Sequence, residues 1–81
     1  MYEIKFKKKA VKELQKLPKK DAERIVEKIS ALSDNLTGDV KKLTDFTPEY
    51  RLRVGVYRVL FEIEKNVIII YHVKQRGEAY K

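Results

Sequence analysis

The stretch YRLRVGVYRVLFEI, residues 50–63, alternates apolar and charged side chains on either side of one glycine. Tyr50, Leu52 and Val54 share one parity, and Arg51 and Arg53 share the other. That is the two-residue period of a β-strand. Beyond Gly55, Tyr57, Val59, Phe61 and Ile63 form a second apolar parity, with Arg58, Leu60 and Glu62 on the opposite one. A two-residue turn at Gly55-Val56, with glycine supplying the positive φ of a type II′ turn, pairs Val54 with Tyr57, Leu52 with Val59 and Tyr50 with Phe61. Every apolar residue then agrees. The same register sets Arg53 directly opposite Arg58, with Arg51 one step along that face. Like charges facing each other in a sheet cost up to about 1 kcal/mol, part of which Glu62 or Glu64 can offset. An anion turns the cost into affinity, because guanidinium forks match phosphate geometry.

Downstream, VIIIYHVKQ (67–75) reads as a further strand. A three-residue turn, Glu64-Lys65-Asn66 with Asn66 left-handed, keeps Val67, Ile69, Tyr71 and Val73 on the apolar face. Ile68, Ile70, His72, Lys74 and Arg76 then join the arginines, with His72 beside Arg58. A two-residue Lys65-Asn66 turn exchanges these faces. On the first register one sheet face carries Arg51, Arg53, Arg58, His72, Lys74 and Arg76. This reads as a phosphate-binding face; the alternative is a solvated basic face.

Upstream, Tyr2, Ile4 and Phe6 alternate with Glu3 and Lys5, a short half-buried strand. Ala10, Val11, Leu14 and Leu17 mark one face of a helix that ends at Pro18. A second helix is expected from about residue 19 to 35, with Ala22, Ile25, Val26, Ile29, Leu32 and Leu36 as its stripe. Asp21 and Glu23 favour its N-terminal dipole, and Asn35 and Gly38 are stop signals. Residues 37–49 show no sustained period and read as a loop with at most one short extended piece. The order β-α-α-β-β-β predicts an α+β fold. An antiparallel sheet of about four strands is covered on one face by an N-terminal αα-hairpin. No linker or repeat divides residues 1–81, so a single domain is expected.

The 81 residues include no cysteine and one histidine, His72. This removes cysteine-based zinc sites and nucleophiles, argues against a histidine metal site, and leads us to expect no cofactor. Absence of cysteine fits a reducing cytoplasm. MYEIKFKKKAVKEL lacks the apolar core of a secretory signal, and no stretch is apolar for the length of a membrane span. The net charge of +7, from 19 Lys+Arg against 12 Asp+Glu, suits a polyanionic or acidic partner. Lys7, Lys8, Lys9, Lys12, Lys16, Lys19 and Lys20 fit a solvated helix face or contacts to RNA phosphates.

The pattern KELQKLP, then VKKLTD, YRLRVGVYRVLFEIE and VIIIYHVKQRGEAYK, resembles the RelE/ParE toxin superfamily over essentially the whole chain. The YRLRVG-YRV hairpin occurs across that superfamily; the QRGEAY ending is similar to the RelE branch. The resemblance implies the toxin of a toxin–antitoxin system, a ribosome-dependent endoribonuclease cleaving messenger RNA in the A site. By position, Arg51 and Arg53 match two basic residues before the turn. Arg58 matches an arginine that contacts the scissile phosphate, Arg76 an arginine near the end of the last strand, and Tyr80 a tyrosine that stacks on a base. Relatives carry lysines where Arg51 and Arg53 stand, and many carry histidine at Gln75.

The implied reaction is attack of a ribose 2′-hydroxyl on the adjacent phosphodiester. It leaves a 2′,3′-cyclic phosphate and a 5′-hydroxyl. It needs an aligned nucleophile, charge stabilisation and proton transfer. Arg53, Arg58 and Arg76 supply charge, and Tyr80 splays a base. Arginine, with a pKa above about 12, is a poor proton acceptor, which leaves His72, Lys74, Glu78 and Tyr80 as candidates. The implied partners are an acidic antitoxin, the ribosome and messenger RNA, with no membrane and no small-molecule cofactor. Two other functions fit the chain: a ParE-like inhibitor of DNA gyrase, and a basic nucleic-acid-binding module without catalysis.

Overall fold

A computed structural model describes residues 1–45 and 47–75. The elements in chain order are β1 (Glu3–Phe6), α1 (Lys8–Gln15), α2 (Lys19–Ala31), β2 (Asp39–Lys42), β3 (Tyr50–Val54), β4 (Tyr57–Glu64) and β5 (Val67–Gln75). The strands form one five-stranded sheet in the order β1-β5-β4-β3-β2. The expected α+β class and αα-hairpin are present.

Two details differ from the expectation of about four antiparallel strands. β1 runs parallel to β5, from Glu3 opposite Val67 to Phe6 opposite Ile70. Alternation within a strand says which face is buried but nothing about the direction of its neighbour. The fifth strand, β2, lies in the stretch expected to be mostly loop. Its sequence, DVKK, has one apolar residue, Val40, which stands opposite Leu52. A four-residue edge strand with a single inward side chain leaves almost no period to read.

The hairpin β3–β4 has the expected register: Val54 opposite Tyr57, Leu52 opposite Val59 and Tyr50 opposite Phe61. The Tyr50 and Phe61 rings stack at 5.4 Å. Gly55 takes φ +58, the left-handed backbone the turn requires. The inner face of the sheet meets Ile25, Ile29 and Leu32 of the second helix and its cap, together with Ala10 of α1. Burying each large aliphatic side chain contributes about 1.5–3 kcal/mol.

The stripe on α2 is narrower than its sequence suggests. Ile25, Ile29 and Leu32 are buried at helical spacing, whereas Val26 and, on α1, Val11 are exposed. Each exposed valine follows a buried residue by one position, about 100° around the helix, so it turns away from the sheet. The helix also stops early, at Ala31. Ser33 and Asp34 bond back to Ser30 and Ala31 in a tightened last turn, and Asn35 and Leu36 then take φ +62 and +55. This turn lets the Ser33 carbonyl accept the Tyr2 N–H at 2.9 Å, tying the start of the chain to the end of α2.

The β4–β5 turn is the two-residue Lys65-Asn66 turn, with Glu64 opposite Val67 and φ +56 at Lys65 instead of Asn66. Taken alone it exchanges the faces of β5, and near the turn it does: Ile68 and Ile70, not Val67 and Ile69, lie in the core. A β-bulge then restores the other parity. Phe61 faces Ile70 and Leu60 faces His72, so Tyr71 is the extra residue. Val73 consequently enters the core, and His72 and Lys74 return to the arginine face.

Two glycines should respond unequally to a methyl group. Gly38 (φ +126) would bring a Cβ within 3.1 Å of Leu52 Cδ1, a buried side chain. At Gly55 the nearest atom is the flexible end of Arg24. Gly38→Ala should cost about 1–3 kcal/mol and Gly55→Ala about 1 kcal/mol. Urea unfolding of the two variants checks that order.

Candidate functional site

Alternation in β3, β4 and β5 assembles the outer face of the sheet. Arg53 stands opposite Arg58, Arg58 opposite Lys74, Arg51 opposite Leu60, and Leu60 opposite His72. The structure therefore brings Arg51, Arg53, Arg58, His72 and Lys74 to one face. Arg76 and Tyr80, and with them Glu78, lie outside the described residues. Leu60 is fully buried on this polar face, an aliphatic floor between Arg51 and His72.

The charges on this face are not equivalent. Arg53 Nε donates to Asp39 Oδ2 at 2.6 Å, and Arg51 Nη1 lies 3.5 Å from Asp39 Oδ1. Asp39 reaches both because β2 pairs with β3 and sets Asp39 opposite Arg53. Thus Asp39, not Glu62 or Glu64, relieves the repulsion on β3. The hydrogen bond from Arg53, reinforced by the charges of Arg53 and Arg51, holds the Asp39 carboxyl below its usual value. Arg51 is buried, whereas Arg53 is half exposed.

Arg58 is satisfied differently. Its Nη1 donates to the backbone carbonyls of Tyr57 at 3.1 Å and Gly55 at 3.3 Å. Among the described residues it has no carboxylate partner within ion-pair distance.

On the other flank, Glu13 of α1 meets β5. Beyond the bulge β1 no longer covers the edge of β5, which leaves the Val73 N–H without a strand partner. Glu13 Oε1 accepts that N–H at 3.0 Å, Glu13 Oε2 pairs with Lys74 Nζ at 2.5 Å, and His72 Nδ1 lies 3.6 Å from Oε1. Burial of Glu13 opposes its charged form. The bonds from Lys74 and Val73 and the charges of Lys74 and His72 outweigh it and hold the carboxyl below its ordinary value. Sequence reading missed Asp39 and Glu13. Each sits in a segment whose own pattern is ordinary, and only pairing across the fold places it among the cations.

The family described as ParE toxin of type II toxin-antitoxin system, parDE, matches residues 4–80. The curated Toxin RelE3 of Methanocaldococcus jannaschii is 35% identical over 93% of this chain and 91% of its own. The chain belongs to the RelE/ParE family of type II toxins. Its fold agrees with that assignment. A chain of the archaeal RelE-RelB complex from Pyrococcus horikoshii is 36% identical, with a TM-score of 0.75 over 96% of this chain and 98% of that one. A chain of the RelB-RelE antitoxin-toxin complex from Methanococcus jannaschii is 32% identical, with a TM-score of 0.74 over 88% of each.

The Glu13 cluster predicts a stability difference with a defined pH dependence. Glu13→Gln should lose about 1–2 kcal/mol at pH 7, because a charge-assisted pair to Lys74 is lost. The folded-state pKa of Glu13 is depressed, so this contribution is complete above the unfolded value near 4.5 and fades as pH falls through the folded value. Denaturant unfolding of both proteins from pH 7 to pH 3 should show the gap closing below about pH 4.5.

Proposed function

We propose that this toxin is a ribosome-dependent endoribonuclease that cleaves messenger RNA in the A site and so arrests translation. The carrying observation is Arg58, opposite both Arg53 and Lys74 on one sheet face and bonded only to backbone carbonyls among the described residues. Three basic side chains converging across adjacent strands suit a phosphodiester that gains charge as the 2′-oxygen attacks. Arg58 and Arg53 stabilise the phosphorane oxygens, with Arg76 in the same role and Tyr80 stacking on a base at the cut. Arg51, buried against Asp39, stiffens the base of the site. The nucleophile is the RNA's own 2′-hydroxyl. The ribosome, and with it the cytoplasm, supplies the setting.

A cognate antitoxin is the second partner. The net charge of +7 favours an acidic segment on the basic face, and the relatives from P. horikoshii and M. jannaschii are known in RelB complexes. A second reading, gyrase inhibition without nuclease activity, is favoured by the ParE description of the matching family.

Primer extension on a message translated in vitro separates the two. The wild type should give A-site cleavage, and Arg58→Ala should reduce it at least about 100-fold, as expected for loss of a preorganised charge at the reacting phosphate. Intact message together with loss of gyrase supercoiling by the same protein would establish the second reading instead.

A further inference from the structure

The proton acceptor is the missing part of the reaction above, and the α1–β5 junction offers one. We infer that His72 takes the proton from the attacking 2′-hydroxyl and that Glu13 is its positioning residue, an inference that rests on the nuclease reading. His72 is the single histidine of the chain, and histidine alone has an unperturbed pKa close to neutrality. It stands on the outer face, diagonal to Arg58 and directly across from the buried Leu60. Diagonal neighbours in a sheet lie about 7–8 Å apart at their backbones, a span that a phosphodiester and two side chains fill.

The two imidazole nitrogens have different surroundings. Nδ1 is out of contact with solvent, makes no hydrogen bond, and lies 3.6 Å from Glu13 Oε1. The side chain as a whole remains 28% exposed, so its accessible surface lies on atoms other than Nδ1. A carboxylate beside Nδ1 favours the tautomer with the proton on Nδ1, which frees the Nε2 lone pair as the acceptor. The 3.6 Å separation exceeds a hydrogen bond, and bonds of this kind tighten when substrate binds. Glu13 is itself held by the Val73 N–H and by Lys74, so the carboxylate has a fixed place from which to orient the ring.

Among the described residues, the charged groups around His72 are Glu13 from α1, Arg58 and Glu62 flanking Leu60 on β4, Arg51 beyond Leu60 on β3, and Lys74 on its own strand. In the step itself, Nε2 takes the 2′-hydroxyl proton while the O2′–P bond forms and the P–O5′ bond breaks. The departing 5′-oxygen takes a proton from water, and the hydroxide left behind balances the imidazolium until the two exchange a proton. Charge is conserved, with the imidazolium formed beside Glu13.

Single-turnover cleavage of ribosome-bound message, measured from pH 5.5 to 8, tests the assignment. The wild-type rate should rise with pH and then level off, as for a reaction with one general base. His72→Gln should lower it about 100- to 10,000-fold and flatten that rise. Imidazole added to His72→Ala should restore part of the rate. Arg58→Ala should lower the rate yet retain the pH dependence. Glu13→Gln should lower the rate and shift the rising limb.

A second readout needs no ribosome. The nitrogen NMR signals of the lone histidine should report the Nδ1–H tautomer in the wild type and a mixed population in Glu13→Gln. A His72→Gln variant that is folded and cleaves like the wild type, or an Nε2–H tautomer in the wild type, overturns the inference and leaves the nuclease reading standing. Failure of the wild type to cleave any message overturns both.

Discussion

Backbone pairing holds β3 against β4 with Val54 opposite Tyr57, and from that alignment Arg53 must face Arg58. The register cannot slip by one residue to separate them. Because side chains alternate with a period of two, a slip of β3 would send Leu52 and Val54 to solvent, forfeiting several kcal/mol of burial to avoid a repulsion of about 1 kcal/mol. The apolar face therefore enforces the charge pair on the other. A core of this size, without cysteine, has no surplus to spend on a different arrangement.

The rest of the outer face accommodates that constraint. Asp39 arrives on the edge strand β2 and holds Arg53 and Arg51; Glu13 arrives on α1 and holds Lys74 beside His72. Both carboxylates are kept ionised by the cations they serve. They grip the outer cations from two sides and leave Arg58, between them, bonded to the turn it follows. Among the described residues, this arrangement keeps the basic side chains in place without a carboxylate on Arg58.

Much of this was legible in the chain. Gly55 with its flanking alternation determined the hairpin, its turn and the Arg53–Arg58 pairing. Pro18 and the Ala10–Leu14–Leu17 spacing determined the first helix, and the order of elements the α+β class. Val11 and Val26 misled, since apolar character beside a stripe is no evidence of burial when the stripe needs only Ile25, Ile29 and Leu32. β2 was faint because Val40 is its single apolar residue. On β5 the expected face for His72 and Lys74 was reached by a different route. The turn is one residue shorter than expected, and the bulge at Tyr71 compensates. In an unbroken run such as VIIIY both parities are apolar, so a one-residue shift leaves no mark on the pattern.

Covalent spacing along the chain dictated the shared faces of β3 and β4, the Gly55-Val56 turn that joins them, and the buried helix positions Ala10, Ile25 and Ile29. Tertiary packing decided the direction of β1 beside β5, the Lys65-Asn66 turn with the bulge that returns His72 to the arginines, and the carboxylates that meet them. Glu13 lies 59 positions from His72 in the chain and Asp39 lies 14 from Arg53. Nothing in local spacing links such residues. They meet because burying one continuous apolar surface docks α1 against the end of β5 and β2 against β3, and the polar side chains on those elements are carried to wherever that docking leaves them.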